Sequence, residues 1–328
     1  MTKSIKSKLK KTITICTNSR LHFSLIDMNG RLGRIDGGLG VSLQEPKFVL
    51  KAEISDTDIF DENVKEIIEK LRKNNIAKQR YHIRILSNIP PHVGLGSKTQ
   101  LSLAVAKSVT KLDGLDLDTY SLAKLVGRGG TSGIGVAAFE AGGFILDGGH
   151  SKLLKKSFAP SRYSVAPPPP VLARYDFPKE WYFVISIPEG TGIHGKQELK
   201  IFQRFCPIPS KEVEKLSRII FSIVLPSVIE KEISNFGKGI SMMQNIGFKK
   251  IENKLRGKEH LKLLKFMTEN SEGAGLSSFG PATYAIVEGY KNANNLALKV
   301  KEFMLSQNMG SNVFVTQASN TGAICTED

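Results

Sequence analysis

The feature that most constrains this fold is a glycine-containing loop, Pro90–Gln100, which lies between a strand-like and a helix-like segment. Before the loop, Tyr81, Ile83 and Ile85 alternate as one face of a strand, and after it apolar residues recur at helical spacing. Glycines let the backbone approach a ligand closely, and the first N–H groups of a helix have no partner within it. The loop therefore predicts a site for anionic oxygens, above all phosphate, and the alternative is an ordinary turn with a Ser/Thr cap. The predicted phosphate contacts are Gly94, Gly96, Ser97, Lys98, Thr99 and Gln100.

The order of segments along the chain favours an α+β fold. Strand-like and helix-like segments mix without regular β-α-β alternation, and the sequence has no internal repeat. The proline run 167–170 cannot be helical or central in a sheet, so it predicts an extended connector. We predict a basic tail over residues 1–11, a phosphate-binding domain over 12–165, a connector over 166–175 and a second domain over 176–328.

Composition limits the class of protein. Apolar residues make up 41% of the 328 residues, which is ordinary for a globular chain. No apolar run approaches the roughly 18 residues that cross a bilayer, and the basic start leads into TITICT rather than an apolar signal core. The cysteines Cys16, Cys206 and Cys325 have neither ligand-like spacing nor an even number. These features predict a protein of the reducing cytoplasm with no membrane partner.

The net charge of +15 comes largely from the N-terminal tail and from a helical stretch between Lys249 and Lys265. A run of charges of this kind usually forms a solvated face. A basic surface also concentrates a polyanionic substrate, and nucleic-acid binding is a third alternative. No aromatic-and-glycine RNA-binding signature or zinc-finger spacing accompanies the charge, which argues against a nucleic-acid partner.

Charged residues also crowd into the glycine-containing segment 19–40. Arginine can clamp phosphate or carboxylate through two points, and aspartate can hold magnesium together with its waters. The alternative is a solvated hairpin with surface ion pairs. The candidates are Arg20, His22, Asp27, Arg34 and Asp36.

Two further segments combine glycine with hydroxyl side chains. Gly127–Val136 leads into a helix-like segment, so its backbone N–H groups are candidates for binding an anion. Gly273–Pro281 precedes an apolar strand-like segment, and its alternative is a flexible connector. The candidate contacts in these segments are Ser132, Gly133, Gly135, Ser277 and Ser278.

Together these segments resemble the GHMP superfamily, which is named for galactokinase, homoserine kinase, mevalonate kinase and phosphomevalonate kinase. Pro90–Gln100 is similar to its phosphate-binding signature, and Gly273–Pro281 is similar to its C-terminal glycine motif. The resemblance implies an N-terminal domain with a ribosomal-protein-like α+β fold, a ferredoxin-like C-terminal domain, and an active site in the cleft between them.

Within that superfamily, four runs resemble the β-ribofuranosylaminobenzene 5'-phosphate synthase family. They are RLHFSLIDMNGRLGRIDGGLGVSL, GLGSKTQ, RGGTSGIGVAAFEAGGFILDGGH and SSFGPATYAI. Galactokinase-like members carry a pattern similar to SGIQDQ, whose aspartate acts in phosphoryl transfer, whereas Val136 takes that place in this sequence. An aliphatic side chain neither accepts a proton nor binds magnesium. The substitution therefore argues against phosphoryl transfer by the usual route.

The resemblance implies that phosphoribosyl pyrophosphate condenses with 4-aminobenzoate or 4-hydroxybenzoate and releases pyrophosphate and carbon dioxide. This reaction belongs to the synthesis of methanopterin-type cofactors in archaea. The resemblance also implies a magnesium ion, no organic cofactor and a homodimer. The two remaining alternatives are an ATP-dependent kinase for a small alcohol and a basic nucleic-acid-binding protein.

Roles for individual residues are hypotheses based on this reaction. His22 is a candidate for proton transfer or orientation. Asp27 or Asp36 would hold magnesium, and an arginine of the same segment, at position 20 or 34, would face an anionic group. Gly190–Glu198, which contains His194 and Lys196, looks like another substrate-facing loop.

Overall fold

The computed structural model describes residues 11–190 and 192–328, and the first half of the chain is built around a seven-stranded sheet. Its strands are β1 (Thr12–Asp27), β2 (Arg34–Ser55), β3 (Arg80–Ser87), β4 (Phe144–Asp147), β5 (His150–Ser151), β6 (Val171–Tyr175) and β11 (Ile324–Glu327). Five strands lie in the order β11-β1-β2-β4-β6, while β3 and β5 also pair with β2. β1 and β2 are antiparallel along almost their whole length, with register shifts after Asn18 and after His22. Most of the charged segment 19–40 therefore lies within the sheet, while residues 28–33 form the turn between β1 and β2, which is exposed at residues 31–33.

Helices α1 to α4 pack around this sheet. They are α1 (Glu62–Lys73), α2 (Ser97–Leu112), α3 (Thr119–Val126) and α4 (Ile134–Glu140). Asp61 caps α1 by accepting the Val64 N–H, and the apolar face of α1 is buried. α2 contacts β1 and β2, which places the start of α2 beside the middle of the sheet.

The second half of the chain contains a four-stranded antiparallel sheet. Its strands are β7 (Trp181–Pro188), β8 (Gly273–Leu276), β9 (Thr283–Glu288) and β10 (Ser311–Gln317). Their order is β10-β7-β9-β8, with helices between β7 and β8 and between β9 and β10. This order and these connections confirm the predicted ferredoxin-like arrangement within an α+β fold.

The helices of this half include several that the sequence pattern predicts. They are α5 (Lys196–Phe205), α6 (Ser210–Ile219), α7 (Leu225–Glu230), α8 (Ile233–Met243), α9 (Gly247–Leu255), α10 (Gly257–Glu269) and α11 (Tyr290–Ser306). A π-helical segment, Ile220–Val224, joins α6 to α7, so the helix predicted over 211–231 is continuous. Among the described residues, no helix combines the length and the apolar character needed to cross a membrane.

A buried aromatic cluster joins the two sheets. Phe23 of β1 lies with its ring centroid 5.3 Å from that of Tyr284 of β9, and Phe144 of β4 lies 6.0 Å from Phe236 of α8. These rings belong to one continuous core of buried side chains. Because aromatic rings bury large apolar areas, this cluster fixes how the two halves face each other.

Part of the predicted connector and the end of the chain both form strands of the first sheet. The second part of the 166–175 connector, Val171–Tyr175, is the edge strand β6 and pairs with β4. The end of the chain, within the predicted second domain, also returns to the first sheet as β11, which pairs with β1. An edge strand tolerates the prolines that precede it, since they fall outside the ladder. The division of the chain into two domains stays a prediction, and residues 1–10 of the predicted tail lie outside the described residues.

The basic stretch in the second half is not wholly a solvated face. Lys250, Lys254, Lys258 and Lys262 are exposed, as expected. Lys249 is an exception, with an exposed fraction of 0%. Its ammonium group forms an ion pair with Glu252 and donates to the Leu276 carbonyl at 3.1 Å. The packing of α9 against β1 and α10 buries this lysine, which a run of charges alone does not reveal.

Candidate active site

A cleft of about 800 Å³ lies between the two halves of the chain. The Pro90–Gln100 loop, the start of α2 and the Gly127–Val136 segment line one side. The start of α5 and the loop after β8 line the other side. The glycine segments that the sequence predicts to be functional therefore meet at one site.

Direct backbone contacts hold two of these segments together. The Ala282 N–H donates to the Val93 carbonyl at 3.1 Å, and the Ser277 hydroxyl donates to the Gly94 carbonyl at 2.7 Å. Gly94 has a φ of +92°, and a side chain there would overlap the Ser277 carbonyl. Only glycine allows this approach. Ser277 is fully buried, so its role is to hold the loop rather than to bind a substrate.

The start of α2 is open towards the cleft. Gly96 precedes the helix with a φ of +86°, and no side chain caps the first turn within the described part of the chain. The first backbone N–H groups of a helix attract anions, since they lack partners within the helix. Ser97, Lys98 and Thr99 line the cleft at this point. The predicted phosphate loop thus has the geometry that an anion site requires.

Two arginines and a lysine make this wall of the cleft cationic. Arg20 donates to the Gly94 carbonyl, and Arg128 donates to the Thr99 hydroxyl at 3.0 Å. Burial, together with the nearby Arg128, lowers the pKa of Arg20 to about 10, and burial lowers the pKa of Arg128 to about 10. Burial also lowers the pKa of Lys98. Removing cations from water has a free-energy cost, so an anion in the cleft would be stabilised by these groups.

His22 lies at the floor of the cleft within a short chain of polar contacts. Its Nε2 lies 3.1 Å from the Ser132 hydroxyl, which donates to the Asp147 carboxylate at 3.1 Å. Burial, with Arg20 and Lys249 nearby, holds the pKa of His22 well below its ordinary value. His22 is therefore a neutral imidazole at neutral pH, held in orientation by Ser132.

Asp147 occupies the second predicted phosphate site. Its Oδ2 accepts the Gly133 N–H at 2.8 Å, so this amide has a partner inside the protein. Burial raises the pKa of Asp147. Gly135 and Ser132 line the cleft, but the Gly135 carbonyl accepts a bond from the amide of buried Gln100 at 2.8 Å. Gly133 and Gln100 hold the architecture, and the predicted phosphate contacts at these two positions do not fit the structure.

The predicted magnesium ligands do not fit a metal site. Asp36 is fully buried, forms an ion pair with Lys155 at 2.9 Å and contacts His150 at 2.6 Å. Asp27 accepts the N–H groups of Asn29 and Gly30 at 2.9 and 2.8 Å, which closes a turn. Neither aspartate lines the cleft, and the described residues contain no group of three metal-binding side chains.

Arg34 also lies away from the cleft. Its guanidinium donates to the carbonyls of Gly148 and Gly149 at 2.8 and 2.7 Å, which ties β2 to the turn after β4. Of the two arginines predicted in the segment 19–40, Arg20 faces the site and Arg34 does not. Ser278, with a φ of +53°, lines the cleft, and its N–H donates to the His22 carbonyl at 3.2 Å.

Part of the cleft lining is apolar and aromatic. Leu25, Ile193, Phe202 and Phe279 line it, and the centroids of the two phenylalanine rings lie 6.2 Å apart. Glu198 lies one helical turn before Phe202 and also faces the cleft. The site therefore has a cationic wall and an aromatic wall.

Sequence reasoning missed four groups at this site. They are Arg128, Asp147, Glu198 and Phe202. Arg128 and Asp147 stand within runs that carry the resemblance, and Glu198 ends the loop predicted to face substrate. The sequence therefore indicates that these segments are functional but does not predict a role for the three residues. Phe202 follows Glu198 by one helical turn, and that spacing is its only signal.

Comparison with known proteins agrees with this geometry. The family model for the N-terminal domain of GHMP kinases matches residues 62–143. Homoserine kinase from Cytophaga hutchinsonii superimposes with a TM-score of 0.66 at 15% identity, covering 97% of this chain and 98% of that one. Mevalonate kinase from Methanococcus jannaschii gives a TM-score of 0.65 at 14% identity, with 94% and 98% covered. At such identities the likeness establishes the fold alone.

Two relatives are much more similar in sequence. Beta-ribofuranosylphenol 5'-phosphate synthase from Methanothermobacter thermautotrophicus is 42% identical over 327 residues, covering 95% of this chain and 98% of the relative. The protein of the same name from Archaeoglobus fulgidus is 40% identical over 310 residues, covering 93% and 97%. Similarity at this level, over nearly the whole of each chain, places this protein in the beta-ribofuranosylphenol 5'-phosphate synthase family.

Proposed function

We propose that this enzyme condenses phosphoribosyl pyrophosphate with 4-hydroxybenzoate, or with its 4-amino analogue, and releases pyrophosphate and carbon dioxide. The observation that carries the proposal is that cationic groups and aromatic side chains line one cleft. A phosphorylated sugar and an aromatic acid need these two surfaces. The names of the relatives contain phenol, which favours 4-hydroxybenzoate as the acceptor.

The cationic wall supports departure of pyrophosphate. As the bond from the ribose C1 to pyrophosphate breaks, positive charge develops on the sugar and negative charge develops on the leaving oxygens. Arg20, Lys98, Arg128 and the open N–H groups at the start of α2 are in place before the reaction. Preorganised donors of this kind stabilise charge in the transition state without reorganising. A magnesium ion remains a prediction from the resemblance, and we assign no residue to it.

The acceptor supplies the electrons for the new carbon–carbon bond. Its ring carbon that bears the carboxylate attacks C1 of the ribose, and the para hydroxyl or amino group donates electrons into the ring. Loss of carbon dioxide then returns the electron pair to the ring and restores aromaticity. No organic cofactor is required, because the para substituent stabilises the positive charge.

The kinase alternative is not favoured by the structure. Val136, which stands where galactokinase-like members have an aspartate, is buried in α4 and packs in the core. It does not line the cleft. Glu66 of α1, one of the carboxylates that line the cleft, is paired with Lys70 at 3.0 Å. The nucleic-acid alternative gains no support either, since the relatives carry the name of a synthase.

Substituting Gly96 with alanine tests the donor site. The new Cβ would lie 3.1 Å from Cγ of Arg20, in a backbone conformation that L side chains rarely adopt, so it would displace this arginine. We expect affinity for phosphoribosyl pyrophosphate, measured by isothermal titration calorimetry, to fall at least about tenfold. Pyrophosphate release with 4-hydroxybenzoate should fall in parallel.

Gly114→Ala is the matched control. Gly114 has a φ of +73° but no atom within 4 Å of a built Cβ, and it lies at the far end of α2. This variant carries the same backbone strain and should bind the donor like the wild type. The proposal would be wrong if wild-type protein released no pyrophosphate with either benzoate, or if Gly96→Ala bound the donor normally.

A further inference from the structure

We propose that Glu198, Phe202 and Phe279 form the acceptor subsite, in which the Glu198 carboxylate accepts a hydrogen bond from the para substituent of the benzoate. This inference rests on the proposed function and names the residues that select the aromatic substrate. It also assigns a purpose to the loop over 190–198.

The aromatic surface is closely packed. Phe202 packs on Phe248 at 4.9 Å between ring centroids, and Phe248 meets Phe279 edge-on at 5.7 Å. All three rings are almost fully buried, although Phe202 and Phe279 border the cleft. A planar aromatic ring gains dispersion and edge-to-face contacts against such a surface. The wall therefore suits a benzoate ring better than a sugar.

Glu198 extends this wall with a single acceptor. It lies four residues before Phe202 in α5, so the two side chains share one face of the helix. Across residues 11–190 and 192–328, no group donates a hydrogen bond to its carboxylate. A largely buried carboxylate without a donor is costly, and a ligand that brings an O–H or N–H group would satisfy it.

The charges that face Glu198 come from three elements. Glu252 of α9 repels it, and Arg128 of the cationic wall attracts it. On its own segment, His194 stacks on His92 at 4.0 Å between centroids, and Lys196 is exposed. Burial first, and Glu252 second, raise the pKa of Glu198 to about 7, against the opposing effect of Arg128. The ionised carboxylate, which is the stronger acceptor, therefore becomes the main form as pH rises above about 7.

The two ends of the acceptor match two kinds of group that line the cleft. A para-substituted benzoate has a carboxylate at one end and a hydrogen-bond donor at the other. Its carboxylate-bearing carbon must reach C1 of the ribose beside the cationic wall. We place its para substituent at Glu198, which lines the same cleft. This orientation pairs each end of the substrate with a group of opposite character.

The same contact strengthens during the reaction. When the ring carbon forms its bond to C1, the bond from C1 to pyrophosphate breaks and positive charge reaches the para oxygen or nitrogen. Its O–H or N–H becomes a stronger donor, so an ionised Glu198 stabilises the transition state more than the bound substrate. Loss of carbon dioxide returns the electron pair to the ring. The para proton stays with the substrate, so no net proton transfer is needed.

The test compares 4-hydroxybenzoate with benzoate, which lacks the para donor. We expect wild-type protein to bind 4-hydroxybenzoate at least about tenfold more tightly than benzoate in calorimetric titrations, as a hydrogen bond to a charged group allows. Glu198→Leu should bind both ligands with similar affinity. Glu69→Leu, an exposed position on α1, is the control and should keep the wild-type preference.

A pH profile separates this role from a purely structural one. Because Glu198 acts in its ionised form, the rate of carbon dioxide release by the wild-type enzyme should rise as pH increases through about 7. Glu198→Gln keeps the shape of the side chain but cannot ionise, so its slower turnover should lack this rise. The inference would be overturned if Glu198→Leu kept the preference for 4-hydroxybenzoate, or if Glu198→Gln kept the rise with pH. In either case, turnover by the wild-type protein would still support the proposed function. If the wild-type protein turned over neither benzoate, both would fall.

Discussion

Replacing Asp36 with asparagine is expected to lower the free energy of unfolding by about 3–5 kcal/mol. Asp36 contacts both His150 and Lys155, and Lys155 has an exposed fraction of only 5%. Burial lowers the pKa of Lys155, and Asp36 opposes that effect. Without the negative charge, a buried ammonium group would lack its ionic partner, which is strongly destabilising. Urea unfolding at pH 7 measures the change. The midpoint urea concentrations of the variant and the wild type are compared, provided that the free energy of unfolding depends equally steeply on urea in both.

Asp27→Asn is the control for this prediction. Asp27 is the other predicted magnesium ligand, and it accepts only two backbone N–H groups in a turn. We expect its substitution to cost about 1 kcal/mol, since an asparagine oxygen can still accept these bonds. If Asp36→Asn were as stable as the wild type but had lost a magnesium dependence of turnover, Asp36 would be a metal ligand and our structural interpretation would be wrong.

Replacing Arg128 with glutamine is expected to weaken donor binding at least about 30-fold. Truncating one partner of a buried, hydrogen-bonded charge pair typically costs about 2–5 kcal/mol, and 1.4 kcal/mol corresponds to a factor of ten. Arg128 holds the Thr99 hydroxyl at 3.0 Å beside the open start of α2, where we place the pyrophosphate. Calorimetric titration with phosphoribosyl pyrophosphate at fixed ionic strength measures the loss.

Arg80→Gln provides the comparison for Arg128. Arg80 is exposed on β3, pairs with Asp58 at 2.9 Å and does not line the cleft. Its removal lowers the net charge equally, so it separates local binding from the general attraction of a basic protein. Equal donor affinity in the folded Arg128 variant and the wild type would show that the pyrophosphate binds elsewhere.

The sequence predicts the phosphate loop well because its signal is local. Strand alternation, two glycines and a helix start all stand within about twenty residues around Pro90–Gln100, and the structure has each of them in place. The meeting of this loop with Gly273–Pro281 depends on pairing over nearly 200 residues. Only the resemblance to the superfamily predicts it, and the contact between Ser277 and Gly94 agrees with it.

The misassigned residues share a physical cause. Asp36 finds its partners 114 and 119 residues away, at His150 and Lys155. No local pattern distinguishes such a buried ion pair from a metal ligand, because both need an aspartate in a polar, glycine-containing segment. The Gly133 amide was likewise predicted to bind phosphate, but it binds the Asp147 carboxylate. At Gly133 the sequence correctly predicts an amide that binds an anion. It does not reveal that the anion is a carboxylate of the protein itself rather than a phosphate.

Carboxyl-labelled 4-hydroxybenzoate gives the most direct measurement of the central claim. Purified protein is incubated with this acceptor and magnesium, with phosphoribosyl pyrophosphate in one sample and ATP in another. We predict that labelled carbon dioxide and pyrophosphate appear in equal amounts with the sugar donor, and that neither forms with ATP. Donor-dependent pyrophosphate without labelled carbon dioxide, or no release from either sample, would contradict a cleft that joins the sugar to the ring carbon bearing the carboxylate.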